Sequence, residues 1–479
     1  MSASFPDKGQ DRQQILAALA DTRTRDLKSD DGRAFAFVYD AGDEARAIAR
    51  EAFAACMGIN GLDPTVYPSA RKIENAVVHA CLEIMNAPEG AVGTATAGGT
   101  ESVMLAVKSA RDFARKTRPH ITSPKMLLPE TAHACFHKAA HYLGVEAIVV
   151  DVDPVTLRAD VNDAKKKMTG DVILVVGSAP SYAHGVIDPI AALAALAQEH
   201  GTLMHVDACV GGCVLPFMKD NGVELPAFDF LVEGVTSISL DLHKYGFAPK
   251  GISVLLQRRR ELREAQYFAC ASWTGYAIVN TTTLGSKSVA AMGGAFAVMQ
   301  HLGKSGYRER AKRMWEATKK LVAVVDAAPG IRMVGRPDTN LFAFTTETGD
   351  LFELADRLTE QGWHVQPTYA FGRSPAHIHL TIDPGNAERA DDFARDLQRC
   401  LVDLPATAPP PAPIVGLLAQ LGADSGGGAE LDSGMLMQVL GISDGQLPTR
   451  AAIIHRLINA ASPPVREKLL VMFMSELFT

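Results

Sequence analysis

Short apolar runs set at intervals between stretches of helical periodicity dominate the chain from about residue 71 onward. The runs fall at 147–152, 172–176, 202–206, 235–240 and 252–256. They are rich in Val, Ile and Leu with little polar alternation, as strands buried on both faces require. Their alternation with helical stretches predicts an α/β fold built on a large, mainly parallel sheet. Ligands of such sheets collect where strands end at their carboxyl edges, so the residues directly after each run matter most: Gly177-Ser178, Asp207 and Asp241-Leu242-His243-Lys244. Before Pro68 the chain is helical and polar, with an Ala-rich stretch at 43–57, which suits an arm or cap. A long helical stretch at 287–328 leads to a second block at 330–402, where strand-like 341–345 and 378–382 flank a helix. This block predicts a smaller C-terminal α/β domain. LPATAPPPAP then reads as a stiff connector, followed by a Gly-rich stretch after Ser425 and an amphipathic end, VREKLLVMFMSELF. The expected boundaries are an N-terminal helical arm at 1–75, a large domain at 76–328, a small domain at 329–405, and a linker with a helical tail at 406–479.

Composition narrows the function classes. The 479 residues are 47% hydrophobic, enough to bury a large core and a second one beside it. With 47 Lys and Arg against 54 Asp and Glu, the net charge of -7 argues against nucleic acid or anionic lipid as a general partner, so any anion site must be local. The N-terminus has no basic stretch leading into an apolar core, and no apolar run approaches the roughly 18 residues of a spanning helix. A cytoplasmic chain without an integral membrane segment is expected. Its seven cysteines are odd in number and free of CxxC pairs, which fits a reducing compartment.

Lys244 follows a strand and His243 in SISLDLHKYGFAPKG. A lysine at that edge, in apolar surroundings, can have its amine pKa lowered enough to attack an aldehyde carbonyl. Taken alone it reads as a solvated loop lysine. Asp207 ends the run TLMHV and opens DACVGG, so its carboxylate should face the same crevice. A cofactor with a pyridine ring needs such a carboxylate to keep its ring nitrogen protonated, although an Asp before small residues is otherwise a turn former. TATAGGTES, at 94–102, precedes an amphipathic helix to about Arg115 and offers backbone donors and a positive dipole end to a phosphate, or else a plain capping turn. It lacks the Lys of a P-loop and the third Gly of a dinucleotide fingerprint. His133, His137 and His141 recur at four-residue steps on one helical face. No carboxylate or thiolate partner is evident nearby, so no metal is expected there, and His133 at the helix start is placed to lie against a planar ring.

These segments, together with NGLDPTVYPSARKIE, TAGGTESVMLAVKSARD, TAHACFHKAAHYLG, SAPSYAHGVIDPI and LGSK, resemble the pyridoxal-phosphate-dependent lyases and decarboxylases of the aminotransferase type I fold. Within that group they are most similar to the sphingosine-1-phosphate lyases, over about residues 33–300 and more faintly to 400. The resemblance implies a seven-stranded large domain, pyridoxal 5′-phosphate as cofactor and a small-molecule amine substrate, with phosphorylated amines among the candidates. It makes Lys244 the Schiff-base lysine, Asp207 the ring-nitrogen partner and His133 the ring-stacking group. It gives the cofactor phosphate to Gly99, Thr100 and His243, with Ser286 reaching in from the neighbouring subunit of a homodimer with shared active sites. The substrate phosphate falls to Tyr39, Asn60, Tyr182 and Lys250. The implied reaction is retro-aldol cleavage of a phosphorylated β-hydroxy amine to an aldehyde and a phosphoethanolamine-type product.

The chain departs from the lyase pattern at Asn60-Gly61-Leu62-Asp63, where a carboxylate replaces a histidine. An acceptor-only anion repels a phosphate, which favours the alternative of amino-acid α-decarboxylation on the same scaffold. Phe35-Ala36-Phe37 replaces smaller residues and suggests a narrower mouth, and Lys287-Ser288 replaces Arg-Pro. A third reading is a non-catalytic cofactor-binding scaffold that contacts partners through its amphipathic C-terminus.

Overall fold

The computed structural model describes residues 5–409 and 450–478. Its centre is a seven-stranded sheet formed by β1 (Val92–Thr96), β2 (Lys125–Pro129), β3 (Glu146–Val150), β4 (Val172–Ser178), β5 (Leu203–Asp207), β6 (Ser237–Leu240) and β7 (Ser253–Gln257), in the spatial order β1-β7-β6-β5-β4-β2-β3. The ladders from β3 across to β6 are parallel, and β7 runs against both β6 and β1. All seven residues of β4 are buried, whereas the edge strand β3 is largely open. The apolar runs therefore announced the middle of the sheet most clearly. They missed β1 and β2. β1 is Val-Gly-Thr-Ala-Thr, and its buried Thr96 is satisfied by side chains: Thr96 Oγ1 meets Ser102 Oγ at 2.7 Å, which meets Ser253 Oγ at 2.9 Å. β2 is short and framed by Lys125 and Pro129.

Helices cover both faces. The helix Gly99–Thr117 lies with Cys135–Leu143 over one face in a cluster around Val103, Val107, Phe136 and Ile173. The stretch Ala290–Ala327 is two helices joined at Gly303, whose φ of 56 and ψ of 176 break the helical path. Its first part packs on Asp43–Cys56 through small residues. A Cβ on Gly293 would come within 2.5 Å of Cys56 Sγ, and one on Gly294 within 2.6 Å of Pro249. Close approach of these helices thus depends on the absence of side chains there.

The hairpin strands β8 (Phe268–Cys270) and β9 (Ile278–Asn280) pair only with each other. A second sheet follows, with β10 (Ile331–Met333), β11 (Leu341–Thr346), β12 (Gln366–Thr368) and β13 (His377–Thr381) in the order β10-β11-β13-β12, antiparallel throughout. Phe35 from the N-terminal segment belongs to its core: it is fully buried against Trp363 and Phe393, and its backbone bonds to His364 O and Thr381 N. Phe35 consequently does not narrow the mouth of a crevice. Phe37 is exposed, with φ of 66.

The helices Ala452–Ala460 and Pro463–Leu477 are held to this second sheet by polar contacts. Arg456 Nε donates to Asp350 at 2.6 Å, and Tyr369 OH pairs with His455 Nδ1 at 2.9 Å. Ala370 N donates to Asn459 at 2.8 Å and Arg466 Nη1 donates back to Ala370 O at 2.9 Å. The C-terminal helix buries Val465 and Leu469 but leaves Leu470, Val471 and Met474 exposed, so its apolar residues are not confined to one face and the expected amphipathic pattern is not found. The Gly-rich stretch of the tail lies outside the described residues. No helix among the described residues is long and apolar enough to cross a membrane.

Candidate active site

A cavity of about 520 Å³ opens at the carboxyl edges of β4, β5 and β6, directly after the apolar runs, where the sequence predicts chemistry. Asp207 and Lys244 both line it, together with Gly99, Thr100, His133, Tyr182 and His243. They meet because β5 and β6 are adjacent and parallel, with Asp207 level with Ser239, so the turns after both strands open on one side.

Asp207 is held from behind. Its Oδ1 accepts from Cys209 N at 3.0 Å and lies 3.5 Å from Ser239 Oγ. Ser239 in turn faces His205, whose ring sits between Ser239 Oγ at 3.1 Å and Ser237 Oγ at 2.8 Å. Burial pushes His205 down to about 4, so a neutral ring supports the carboxylate. On another wall, His133 Nδ1 accepts from Cys135 N at 3.2 Å, capping the start of Cys135–Leu143 and fixing the ring edge-on to Tyr182. His137 and His141 are exposed one and two turns on, and no group of three or more potential metal ligands occurs among the described residues.

The helix Gly99–Thr117 points its N-terminus into the cavity. Its first amide groups have no intrahelical acceptors, and the dipole end favours an anion. Glu101 braces this end, accepting from Ala97 N at 2.6 Å and, through its other oxygen, from Thr283 N at 2.9 Å. His243 is set beside it by a 2.7 Å bond between Nδ1 and Ile252 O, and burial lowers its pKa.

Lys244 differs from expectation. Burial alone would lower its pKa, but the carboxylate of Asp241, 2.9 Å from Nζ, more than offsets this and holds the ammonium above its ordinary range. In the sequence, His243 and the apolar surroundings are the neighbours that bear on Lys244, and Asp241, at the same strand edge, carries no signal of this pairing. Glu101 and the Ser239–His205 support were also missed; as a carboxylate two residues after Gly99 and a polar pair inside apolar runs, they carried only weak signals.

Near the cavity, Lys250 Nζ donates to Phe37 O and His243 O, both at 3.3 Å, and lies 4.8 Å from the Tyr39 ring. Burial, followed by the charge of Lys244, lowers its pKa. Tyr182 OH donates to Gln366 of the second sheet at 2.7 Å. Asn60 and Ser286 are not with these residues. Asn60 Nδ2 lies 3.4 Å from Ser286 Oγ, beside a second cavity of about 300 Å³ lined by Gly61, Gly285 and Lys287. Asp63 is exposed and turned onto Thr65, bonding its amide at 2.8 Å and its hydroxyl at 2.6 Å.

The family model for the pyridoxal-dependent decarboxylase conserved domain matches residues 1–347. The chain belongs to this family. A second model, for a C-terminal domain of pyridoxal-dependent enzymes, matches residues 412–476. The chain is 38% identical over 417 residues to a sphingosine-1-phosphate lyase of Arabidopsis thaliana, spanning 85% of this chain and 75% of that one. A solved sphingosine-1-phosphate lyase from Burkholderia pseudomallei superposes with a TM-score of 0.80 at 34% identity, covering 84% of this chain and 93% of that one. A probable L-aspartate decarboxylase of Pyrococcus abyssi is 31% identical over 399 residues, 83% of this chain and all of that one.

As in the rest of the family, the cofactor is pyridoxal phosphate and the chain is a pyridoxal-dependent lyase. The cavity suits this group. Its volume falls in the range of small-molecule sites. It offers an amine, a carboxylate for a ring nitrogen, a flat imidazole and a helix N-terminus for phosphate. The glycine at position 99 leaves room there, since a Cβ would reach 2.7 Å from Asp241 Oδ2.

Proposed function

We propose that this lyase cleaves the Cα–Cβ bond of a phosphorylated β-hydroxy amine of the sphingosine-1-phosphate type, giving an aldehyde and a phosphoethanolamine-type product. The observation that carries the reading is the convergence of Lys244 and Asp207 on one cavity, with the Lys250–Tyr39 pair close by, in a chain similar to sphingosine-1-phosphate lyases over most of its length. Bound there, pyridoxal phosphate supplies an electron sink for the pair released as the carbon–carbon bond breaks.

In this reading Lys244 Nζ would be the amine that holds the cofactor by its aldehyde group and that a substrate amine would displace. The Asp207 carboxylate, oriented by Cys209 N and Ser239, would hold a proton on the ring nitrogen. His133 would stack on the ring, while Gly99, Thr100 and His243 would take the cofactor phosphate. Lys250, Tyr39 and Tyr182 take the substrate phosphate, since an ammonium and hydroxyls are phosphate donors. Ser286 completes the cofactor phosphate site of a second subunit in a homodimer. Asn60, 3.4 Å from Ser286, acts in that same neighbouring site. The reaction is proton-neutral overall: the β-hydroxyl loses a proton as the aldehyde forms, and the amine carbon gains one. Asp63, bonded to Thr65 on the exposed side of its turn, does not bear on the cavity of its own subunit.

The test is incubation of the cofactor-loaded protein with phosphorylated and unphosphorylated β-hydroxy amines and with amino acids, the products being identified by mass spectrometry. Aldehyde from the phosphorylated amines is expected. Carbon dioxide from an amino acid, with no aldehyde from any amine, would replace this reading by α-decarboxylation.

A further inference from the structure

Asp241 is a buried carboxylate to which the reaction described above assigns no task. Its Oδ2 lies 2.9 Å from Lys244 Nζ and 3.8 Å from His243 Nε2, and its Oδ1 has no hydrogen-bond partner among the described residues. The fold makes room for it. Its backbone N is anchored on Cys209 O at 3.1 Å, and a Cβ on Gly99 would come within 2.7 and 2.8 Å of its two oxygens. It therefore sits at the N-terminus of the helix Gly99–Thr117, where the positive dipole end favours an anion. The charged and titratable groups around it are Lys244, His243 and Lys250 on the following turn, Tyr39 from the N-terminal segment, Cys135 from the His133 wall, and Cys209 and Cys213 after β5. Among these, Lys244 is the cation in direct contact.

We propose that Asp241 is the dock for the Lys244 ammonium, the group that receives this amine in protonated form each time a substrate amine takes its place on the cofactor. The proposal rests on Lys244 being the cofactor-bonded lysine. An amine released into a buried cavity without a counter-ion sheds its proton, because burial disfavours the charged form. The substrate enters as an ammonium. With the dock in place one ammonium enters and one remains, so no proton passes to solvent. Without it Lys244 leaves as a neutral amine, and one proton must be released for every exchange. The exchange constant then falls with acidification, by up to tenfold for each pH unit above the pKa that Lys244 has without the carboxylate.

The experiment uses holoenzyme and a phosphorylated amine lacking the β-hydroxyl, which exchanges with Lys244 but has no aldehyde to release. The exchange constant is read from cofactor absorbance between pH 6.5 and 8.5, in the native protein and in Asp241→Asn. A flat native profile, and in the variant a loss on acidification of up to tenfold per pH unit, are expected. Equal profiles in the two proteins would overturn the dock. Borohydride reduction and peptide mapping are run alongside: an adduct at another lysine removes the Lys244 assignment itself, a failure distinct from that of the dock. If Asp241→Asn binds no cofactor, acetylation of Lys244 in both cofactor-free proteins is followed against pH by mass spectrometry, with folding checked by thermal melting. Labelling of the variant at lower pH supports the dock, and superimposed labelling curves refute it.

Discussion

Replacing Gly99 by alanine perturbs the proposed site at its tightest point. The added methyl would lie 2.7 and 2.8 Å from the Asp241 oxygens and 3.0 Å from Cys209 Sγ. Real carbon atoms do not approach so closely, and none of the neighbours is the end of a long, flexible chain. Either the helix start moves outward, which shifts the amides of residues 99 and 100, or Asp241 rotates and gives up its 2.9 Å contact with Lys244. Overpacking of this kind costs about 1–3 kcal/mol, equivalent to a loss of about 5- to 150-fold in affinity if the strain falls on the cofactor-bound form. Titration of cofactor-free protein with pyridoxal phosphate, followed by absorbance and protein fluorescence, reads the effect. Gly170→Ala is the control, since a Cβ there meets nothing within 4 Å. Native cofactor affinity and native melting temperature in Gly99→Ala would refute the account of the phosphate end of the cavity.

Asp207→Asn keeps an acceptor for Cys209 N but removes the charge, so turnover should fall by about 100-fold or more, roughly 3 kcal/mol, in a protein that still folds; native turnover would contradict its proposed role. Burial pushes His184 and His379 down to about 3, and His205 and His377 down to about 4, whereas it raises Asp188 to about 6 and Asp383 to about 7. The histidines contribute stability that is complete above their unfolded value near 6.5 and is lost as pH falls toward their folded values; the raised aspartates act in the opposite sense. Near pH 5 unfolding should take up a net of about two protons, so stability drops by about 2.7 kcal/mol per pH unit, and scanning calorimetry that finds no acid destabilisation between pH 6 and 4.5 would reject this. Arg466→Ala removes donors to Ala370 O, Ile458 O, Ala461 O and Asn459 O, and should release the C-terminal helices to limited proteolysis before the rest of the chain melts; cleavage at the native rate would show that this arginine is not the clasp.

The sequence by itself determined the α/β alternation, the central strands and the positions of Asp207 and Lys244 at strand ends, because a strand buried on both faces writes its apolar character into consecutive residues. The motifs around those ends were enough to indicate the family and its cofactor. The tertiary structure decided what depends on neighbours distant in the chain. β1 and β2 became strands through pairing and through side-chain bonds such as Thr96–Ser102–Ser253, which no local pattern records. Phe35 went to the core of the second sheet, because Trp363 and Phe393 lie more than 300 residues away in sequence. Asn60 fell beside Ser286 and away from Tyr39 and Lys250. The charge of Lys244 was also decided in three dimensions: apolar surroundings predicted a lowered pKa, and one buried carboxylate at 2.9 Å reversed the direction, since a Coulomb contact at that range in a poorly solvated site exceeds the cost of burial.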